Sequence, residues 1–378
     1  MRLVFFVHSL TSDWNNGNAH FLRGVTRELL KLGHEVTVHE PIDGWSRTNL
    51  LQDIGPEAVS GFQRCFPDIL PCIEPYRPSE IDLERAVDRA DIVIVHEWND
   101  PELVNTLGTL RNTCRNFRLL FHDTHHRMVL NPLEASRYDI SAYDGVLAFG
   151  RIVKDLYLQK GWAREAWVWH EAADVDTFYP MKRSSAGDLV WIGNWGDDER
   201  SEELREFVLK PVRSLALRAN IHGVRYPETG LGWIRTMGAR YCGWIANHQV
   251  PERFAQHRVT VHVPRRPYAA ALPGIPTIRV FEALACGIPL VCAPWEDAEG
   301  LFTPGRDYLL ARDGTIMTRL IRDVLNDRAL AESLAEQGLR TVRNRHTCRH
   351  RALELLDICT ELNSVSSPTP QPAVLETN

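Results

Sequence analysis

2-RLVFFVHSLTSDWNNGNAHFLRGVTRELLKLGHEVTVHEP-41 contains, in order, an apolar run, a polar loop, a helical pattern and a second apolar run. Residues 2–8 have the continuous apolar character of a buried strand. The loop 9-SLTSDWNNGNAH-20 is polar. In 21-FLRGVTRELLKLG-33 apolar residues recur at helical spacing, and Gly33 is placed to end the helix in a left-handed C-cap. A strand at 34–41 follows, ended by proline. Two strands joined by a helix pair in parallel through a right-handed crossover, so this unit predicts a parallel sheet with helices on its faces.

The rhythm continues outward. Strands are expected at 91–97, 117–123, 144–150 and 165–173, with helices at 101–111 and 151–161 between them. After a polar pause at 181-MKRSSAGD-188 a second series begins. Its strands are expected at 189–193, 217–223, 239–243, 258–263 and 289–293. Its helices fall near 201–216, 228–237, 250–256, 278–286 and 314–338, and a last helix near 348–362. The predicted fold class is α/β, with two Rossmann-like parallel-sheet domains facing a cleft. The expected divisions are 1–178, 179–345, a helix at 346–363, and a Ser/Pro-rich disordered tail at 364–378. Ligands of doubly wound sheets bind beyond the carboxyl ends of the strands, so the cleft is the expected site.

Composition narrows the function classes. The chain has 378 residues, 44% hydrophobic and 24% charged, with a formal net charge of −6. That charge gives no general attraction to nucleic acid or anionic membrane. No apolar run approaches the roughly 18 residues of a membrane span, and the apolar N-terminus lacks the features of a signal peptide. The eight cysteines are scattered without a C-x-x-C pair, which fits reduced thiols. A cytoplasmic protein is expected, peripheral membrane contact through the basic run 343-RNRHTCRHR-351 being the other option.

Several clusters have side chains suited to chemistry. The loop 273-PGIPT-277 precedes a helix, 278-IRVFEALACG-287, with Thr277 as N-cap. The stretch Gly274, Ile275, Pro276 and Thr277, in which all but Pro276 carry a backbone N–H free to donate, would make an anion site at its start. Glu282, a turn further on, is placed to accept bonds from vicinal hydroxyls, or else is a solvated helix residue. Arg265, Arg266 and Arg279 are candidates to pair with phosphate. Arg200 is the candidate in 193-GNWGDDERS-201, which also contributes Asn194; a surface arginine is the alternative. In 121-FHDTHHR-127, His122, Asp123 and His125 sit at a strand's carboxyl end, where a metal site is the less favoured option. Glu97 is placed to bind an acceptor hydroxyl, Trp14 to stack on an acceptor, and Gly17 to allow close approach of a phosphate or sugar.

Taken in order, the segments R-V-F-E-A-L-A-C-G-I-P-L-V, Gly305-x-Asp307-Tyr308-Leu309, Leu32 to Val38, 171-EAADVDTFYP-180 and 189-LVWIGNWGDDERSEEL-204 resemble the GT-B glycosyltransferases. The likeness is nearest to retaining family 4 and its CgeB-like spore-maturation branch, over roughly residues 1–360. It implies a donor, a UDP- or GDP-sugar, on the second domain and a hydroxyl acceptor on the first: glycan, lipid, small molecule or modified base. It implies a final helix crossing back to the first domain, no required cofactor or metal, and retention of anomeric configuration. Residue by residue, it implies a ribose-binding Glu282 and a histidine of 122–125 reaching the donor sugar. The family's other glutamate falls on Gly274, and of its basic pair after the second domain's first strand only Arg200 is present. These departures keep open a GT-B sugar-nucleotide epimerase or hydrolase, and an altered sugar-nucleotide or glycan-binding protein. A DNA-modifying transferase fits the net charge less well.

Overall fold

The computed structural model describes residues 1–114 and 116–365. The first sheet comprises β1 (Arg2–Phe6), β2 (Glu35–Pro41), β3 (Ile73–Tyr76), β4 (Ile92–His96), β5 (Arg118–Asp123), β6 (Gly145–Ala148) and β7 (Ala166–Val168). Its order is β3-β2-β1-β4-β5-β6-β7, with every pair parallel. The second comprises β8 (Leu189–Ile192), β9 (Ala219–His222), β10 (Arg240–Gly243), β11 (Val259–His262), β12 (Leu290–Cys292) and β13 (Leu309–Leu310), in the order β10-β9-β8-β11-β12-β13, again all parallel. The apolar run of β4 is buried along its whole length, as expected of a strand covered on both faces.

Strand order reverses direction beside β1 in the first sheet and beside β8 in the second. Loops leaving neighbouring strands at such a point diverge and open a crevice. The two crevices face each other. Contacts across the floor between the sheets are buried: His20 Nδ1 lies 2.8 Å from Glu282 Oε1, and a Cβ on Gly150 would meet Ile275 Cγ1 at 2.4 Å. The Cys348–Val365 helix packs on the Asn18–Lys31 helix of the first half. Trp169, fully buried, donates its indole N–H to Arg351 O at 2.8 Å.

Some expected elements differ. The helix expected over 314–338 is two, Gly314–Asn326 and Arg328–Arg345, because Asp327 is extended and its side chain caps Leu330 N. The helix expected over 201–216 contains a π turn, Arg205–Leu209, ahead of Pro211, whose ring nitrogen cannot donate to an α ladder. Residues 364–365, placed in the tail from sequence, end the last helix; the rest of the expected disordered tail lies outside the described residues. The segment 42–76, for which no elements were expected, holds helices Trp45–Asp53 and Pro56–Cys65 and strand β3. Among the described residues no helix is long and apolar enough to cross a membrane.

Candidate functional site

The two crevices merge into a cavity of about 620 Å³. Loops after β1, β4 and β5 contribute His8, Trp98 and His125, and loops after β8 and β11 contribute Asn194 and Arg265. The N-terminus of the Ile278–Ala285 helix closes one end, through Pro276, Thr277, Ile278 and Arg279. Thr277 is the N-cap residue, but its side chain makes no cap bond and instead lies 3.2 Å from His262 Nε2. The helix therefore presents its positive end to the cavity.

Three guanidinium groups converge there. Arg200 is buried against Trp191, 5.3 Å from the ring centre, and donates to the carbonyls of Trp195, Val263 and Asn194. Burial, then the charges of Arg265 and Arg279, lower its pKa to about 10. Arg265 pairs with Glu199 at 3.1 Å, and Arg279 with Glu282. Positive charges gathered at a helix N-terminus repel one another until an anion arrives. Arg266 points elsewhere, to Glu203 at 2.7 Å.

Gly17 lies in the wall, and a Cβ there would stand 3.0 Å from Ile278 Cγ2, so glycine lets the 12–18 loop close on the helix start. Asn194 is held by Asn15 Oδ1 at 2.5 Å and by Val224 N at 3.0 Å.

Other expected site residues lie outside the cavity wall. Gly274 has φ +93°, its N–H donates to Glu296 O at 2.7 Å, and a Cβ would meet Glu299 Cγ at 2.9 Å. Its amide is therefore already used, and Ile275 is buried in the first half's core. Glu282 is fully buried, bonded to His20, Arg279 and, at 3.4 Å, Asn247 Nδ2. The Asp174 N–H donates to His20 Nε2, so His20 gives its Nδ1 proton to Glu282. His122 packs edge-on against Trp169 and His96, with both ring nitrogens unpartnered, and burial drives its pKa far down. Asp123 accepts from Tyr157 Oη at 2.9 Å and from His125 N at 3.0 Å. It fixes the turn that carries His125. Of these three only His125 lines the cavity. Burial and the neighbouring His126 keep it neutral, and its Nδ1 accepts from Arg127 N at 3.2 Å, which leaves Nε2–H as a donor.

Of the two residues expected to contact an acceptor, Trp14 is 5% exposed and donates Nε1 to Asp53 at 2.7 Å. Glu97 is fully buried beneath the wall, accepting from Thr124 N and Oγ1. Both are corrected from contact to support, because their neighbours Trp45 and Trp98 occupy the surface instead.

Residues that sequence reasoning passed over complete the wall. Glu171 accepts from Asn18 Nδ2 at 3.3 Å and from the Ile278 N–H. Burial, with the charge of Glu282, raises its pKa to about 8. It opens the segment 171-EAADVDTFYP-180, so it was visible, but nothing in its spacing set it apart. His8 ends the first apolar run, and burial lowers its pKa to about 4. Among the described residues no group of three or more His, Cys, Asp or Glu side chains is placed to hold a metal ion.

Residues 200–357 match a family model described as glycosyl transferase-like. No curated protein sequence matches the chain. The sucrose-phosphate synthase of Thermosynechococcus elongatus superimposes with a TM-score of 0.65 at 14% identity, over 97% of this chain and 100% of that one. An α-glucosyltransferase in complex with UDP and a 13-mer DNA containing an HMU base gives 0.67 at 15% identity, over 95% and 99%. Anabaena HepE in complex with UDP-glucose gives 0.65 at 12% identity, over 96% and 100%. At these identities the likeness is one of fold, and two parallel sheets facing one cavity agree with it. The chain thus has the GT-B fold, with a glycosyl transferase-like segment at residues 200–357.

Proposed function

We propose that the chain is a glycosyltransferase that moves a hexose from a nucleoside-diphosphate sugar to an acceptor hydroxyl without a metal ion. The observation that carries this reading is the convergence of Arg200, Arg265 and Arg279 on a helix N-terminus that faces the cavity between the sheets. That arrangement suits a diphosphate. The match of residues 200–357 and the UDP and UDP-glucose bound by neighbours of the same fold support it.

In this reading the bond between the sugar's anomeric carbon and the diphosphate oxygen breaks, and a bond from the same carbon to the acceptor oxygen forms. The acceptor's proton passes to the leaving diphosphate. The three arginines and the helix dipole stabilise the charge that develops on the departing oxygen. His125 donates from Nε2 to a donor-sugar hydroxyl. Arg279 turns from Glu282 to the diphosphate, which frees a Glu282 oxygen for the ribose hydroxyls. Retention follows from the acceptor entering on the face of the sugar that the diphosphate leaves.

The tests are direct. A thermal-shift panel of nucleoside diphosphates should stabilise the fold by about 2.7 kcal/mol for a ligand at 100 times its dissociation constant. No shift with any of them would remove the donor reading. Product anomers by NMR decide retention, and an inverted linkage would overturn it. Donor turnover without any glycoside formed would favour a hydrolase or epimerase.

A further inference from the structure

Of the chain's 11 tryptophans, only Trp45 (44%) and Trp98 (39%) are strongly exposed among the described residues, and both line the same cavity. Exposed indoles gathered in a pocket are unfavourable unless something covers them. His8 lies between them, its ring centre 6.3 Å from Trp45 and 6.0 Å from Trp98. The three residues come from the segments that follow β1, β2 and β4, adjacent strands of the first sheet, Trp45 opening the Trp45–Asp53 helix. They line the same cavity as Arg200, Arg265 and Arg279.

Both indoles are held by neighbours. Trp14 meets Trp45 edge-on at 5.1 Å, and Arg225 lies 5.8 Å from the Trp45 ring. Arg127 lies 4.1 Å from the Trp98 ring, and His125 meets Trp98 edge-on at 5.1 Å. Supported aromatic surfaces lose little conformational entropy on binding.

Charge identifies the occupant. Arg225 is neutralised by Asp197 at 2.7 Å, and Arg127 pairs with Glu134 at 3.6 Å while donating to Glu97 O. Among the described residues no uncompensated cation flanks the indoles to follow a phosphate backbone, and Asp197 and Glu199 on the rim are already paired with Arg225 and Arg265. A nucleic acid strand is poorly matched to such a mouth. A lipid chain is poorly matched to walls that also carry His8 and Asn16. A neutral ring with an apolar C–H face and hydroxyl edges matches both the indoles and the polar groups.

Resting on the donor reading above, we propose that Trp45 and Trp98 form the acceptor subsite and that the acceptor is a neutral pyranose ring, stacked on the indoles with a hydroxyl directed to His8. A neutral imidazole at His8, kept so by burial, can donate to or accept from that hydroxyl without adding charge.

The experiment uses the full chain saturated with UDP. Maltotriose, cellotriose, chitotriose and mannotriose are titrated to 50 mM (about the weak limit for sugars) by saturation-transfer NMR, beside a 13-mer single-stranded oligonucleotide. At least one trisaccharide is expected to bind, with transfer strongest on the protons of one ring face. Trp45→Ala and Trp98→Ala should each weaken it at least tenfold, and the phenylalanine variants should restore part of the loss. UDP affinity should stay within twofold in all four variants. No saccharide binding, undiminished binding in the alanine variants, or preference for the oligonucleotide would overturn the proposal. Failure of the unaltered protein to bind UDP would overturn the donor reading, and this proposal with it.

Discussion

At Glu171, burial and the charges of Glu282 and Glu97 keep the carboxyl protonated up to about pH 8, against an ordinary value of 4.5. The folded state therefore holds one more proton than the unfolded chain between those pH values. This group's contribution to stability is complete below about pH 4.5 and is lost as pH rises through 8. A diphosphate at the neighbouring helix start would push the same pKa higher still, so donor binding takes up a proton at alkaline pH. UDP affinity is expected to fall with a slope of up to about tenfold per pH unit above pH 8. Glu171→Gln keeps an acceptor for the Ile278 N–H but cannot ionise, so its affinity should be flat from pH 7 to 9. Calorimetric titration of both proteins across that range checks this, and an unchanged slope in the variant would assign the proton elsewhere. Asp123, also raised to about 8, lies outside the wall and is bonded to Tyr157 and His125, so it acts on stability rather than on UDP affinity. Gly274 shows the opposite limit of what one residue can supply. Its φ of +93° and the Glu299 side chain 2.9 Å from a Cβ leave no room for a carboxylate. Gly274→Glu is expected to cost about 1–3 kcal/mol in backbone strain, with the clash adding to it, read as a lower Tm, and not to improve donor binding.

At the scale of elements, the Ile278–Ala285 helix joins the anion site to the core, and Glu282 is the joint. Its carboxylate is shared by His20, Arg279 and Asn247 with no exposure to solvent. Removing it leaves the buried His20 and Asn247 and the partly exposed Arg279 unmatched, so Glu282→Ala is expected to lower stability by about 3–5 kcal/mol. Chemical denaturation measures that loss. Glu282→Gln should fold better and would report the proposed ribose contact as a change in UDP affinity. The helix itself was legible: its apolar spacing, the leading Pro-Thr and the trailing Gly287 place it within a residue of Ile278–Ala285. So were β1, β4, β5, β8 and β11, whose short continuous apolar runs admit few other readings. The cavity wall was legible at Gly17, Arg265, Thr277 and Arg279, which follow strand ends or open a helix. It was not legible where side chains choose between wall and core. His122 and His125 are three residues apart on one strand exit, yet one packs under Trp169 and the other faces the cavity. Trp14 and Trp45 are both loop-proximal tryptophans, yet Trp14 is buried with Leu50 and Val224 and bonded to Asp53 while Trp45 is exposed. Trp45 also belongs to 42–76, whose short helices pack by tertiary contact more than by periodicity; the Trp45–Asp53 helix buries only Ser46 and Leu50.

Over the whole molecule, a single apolar cluster runs through both halves. It contains Leu3, Phe5 and Phe21 of the first, Val190, Ile278 and Phe281 of the second, and Ala352, Leu355 and Cys359 of the last helix. The cleft floor adds the buried His20–Glu282 pair and the His170–Glu299 pair at 3.1 Å. Each half also has a cluster of its own, with Val93, Leu119 and Val146 in the first and Trp191, Val208 and Val259 in the second, and the shared cluster couples the two. The halves are therefore expected to unfold together, giving one calorimetric transition whose van't Hoff and calorimetric enthalpies agree. UDP should move that transition as a whole rather than splitting it, because a ligand held between halves that share a core stabilises both. Ending the chain before Cys348 strips the cover from Phe21 and Trp169, both fully buried. That truncation is expected to destabilise the first half along with the second. Two resolved transitions in the intact protein, or a truncated chain that keeps its melting temperature, would show that the sheets are stable separately and that the shared cluster adds little.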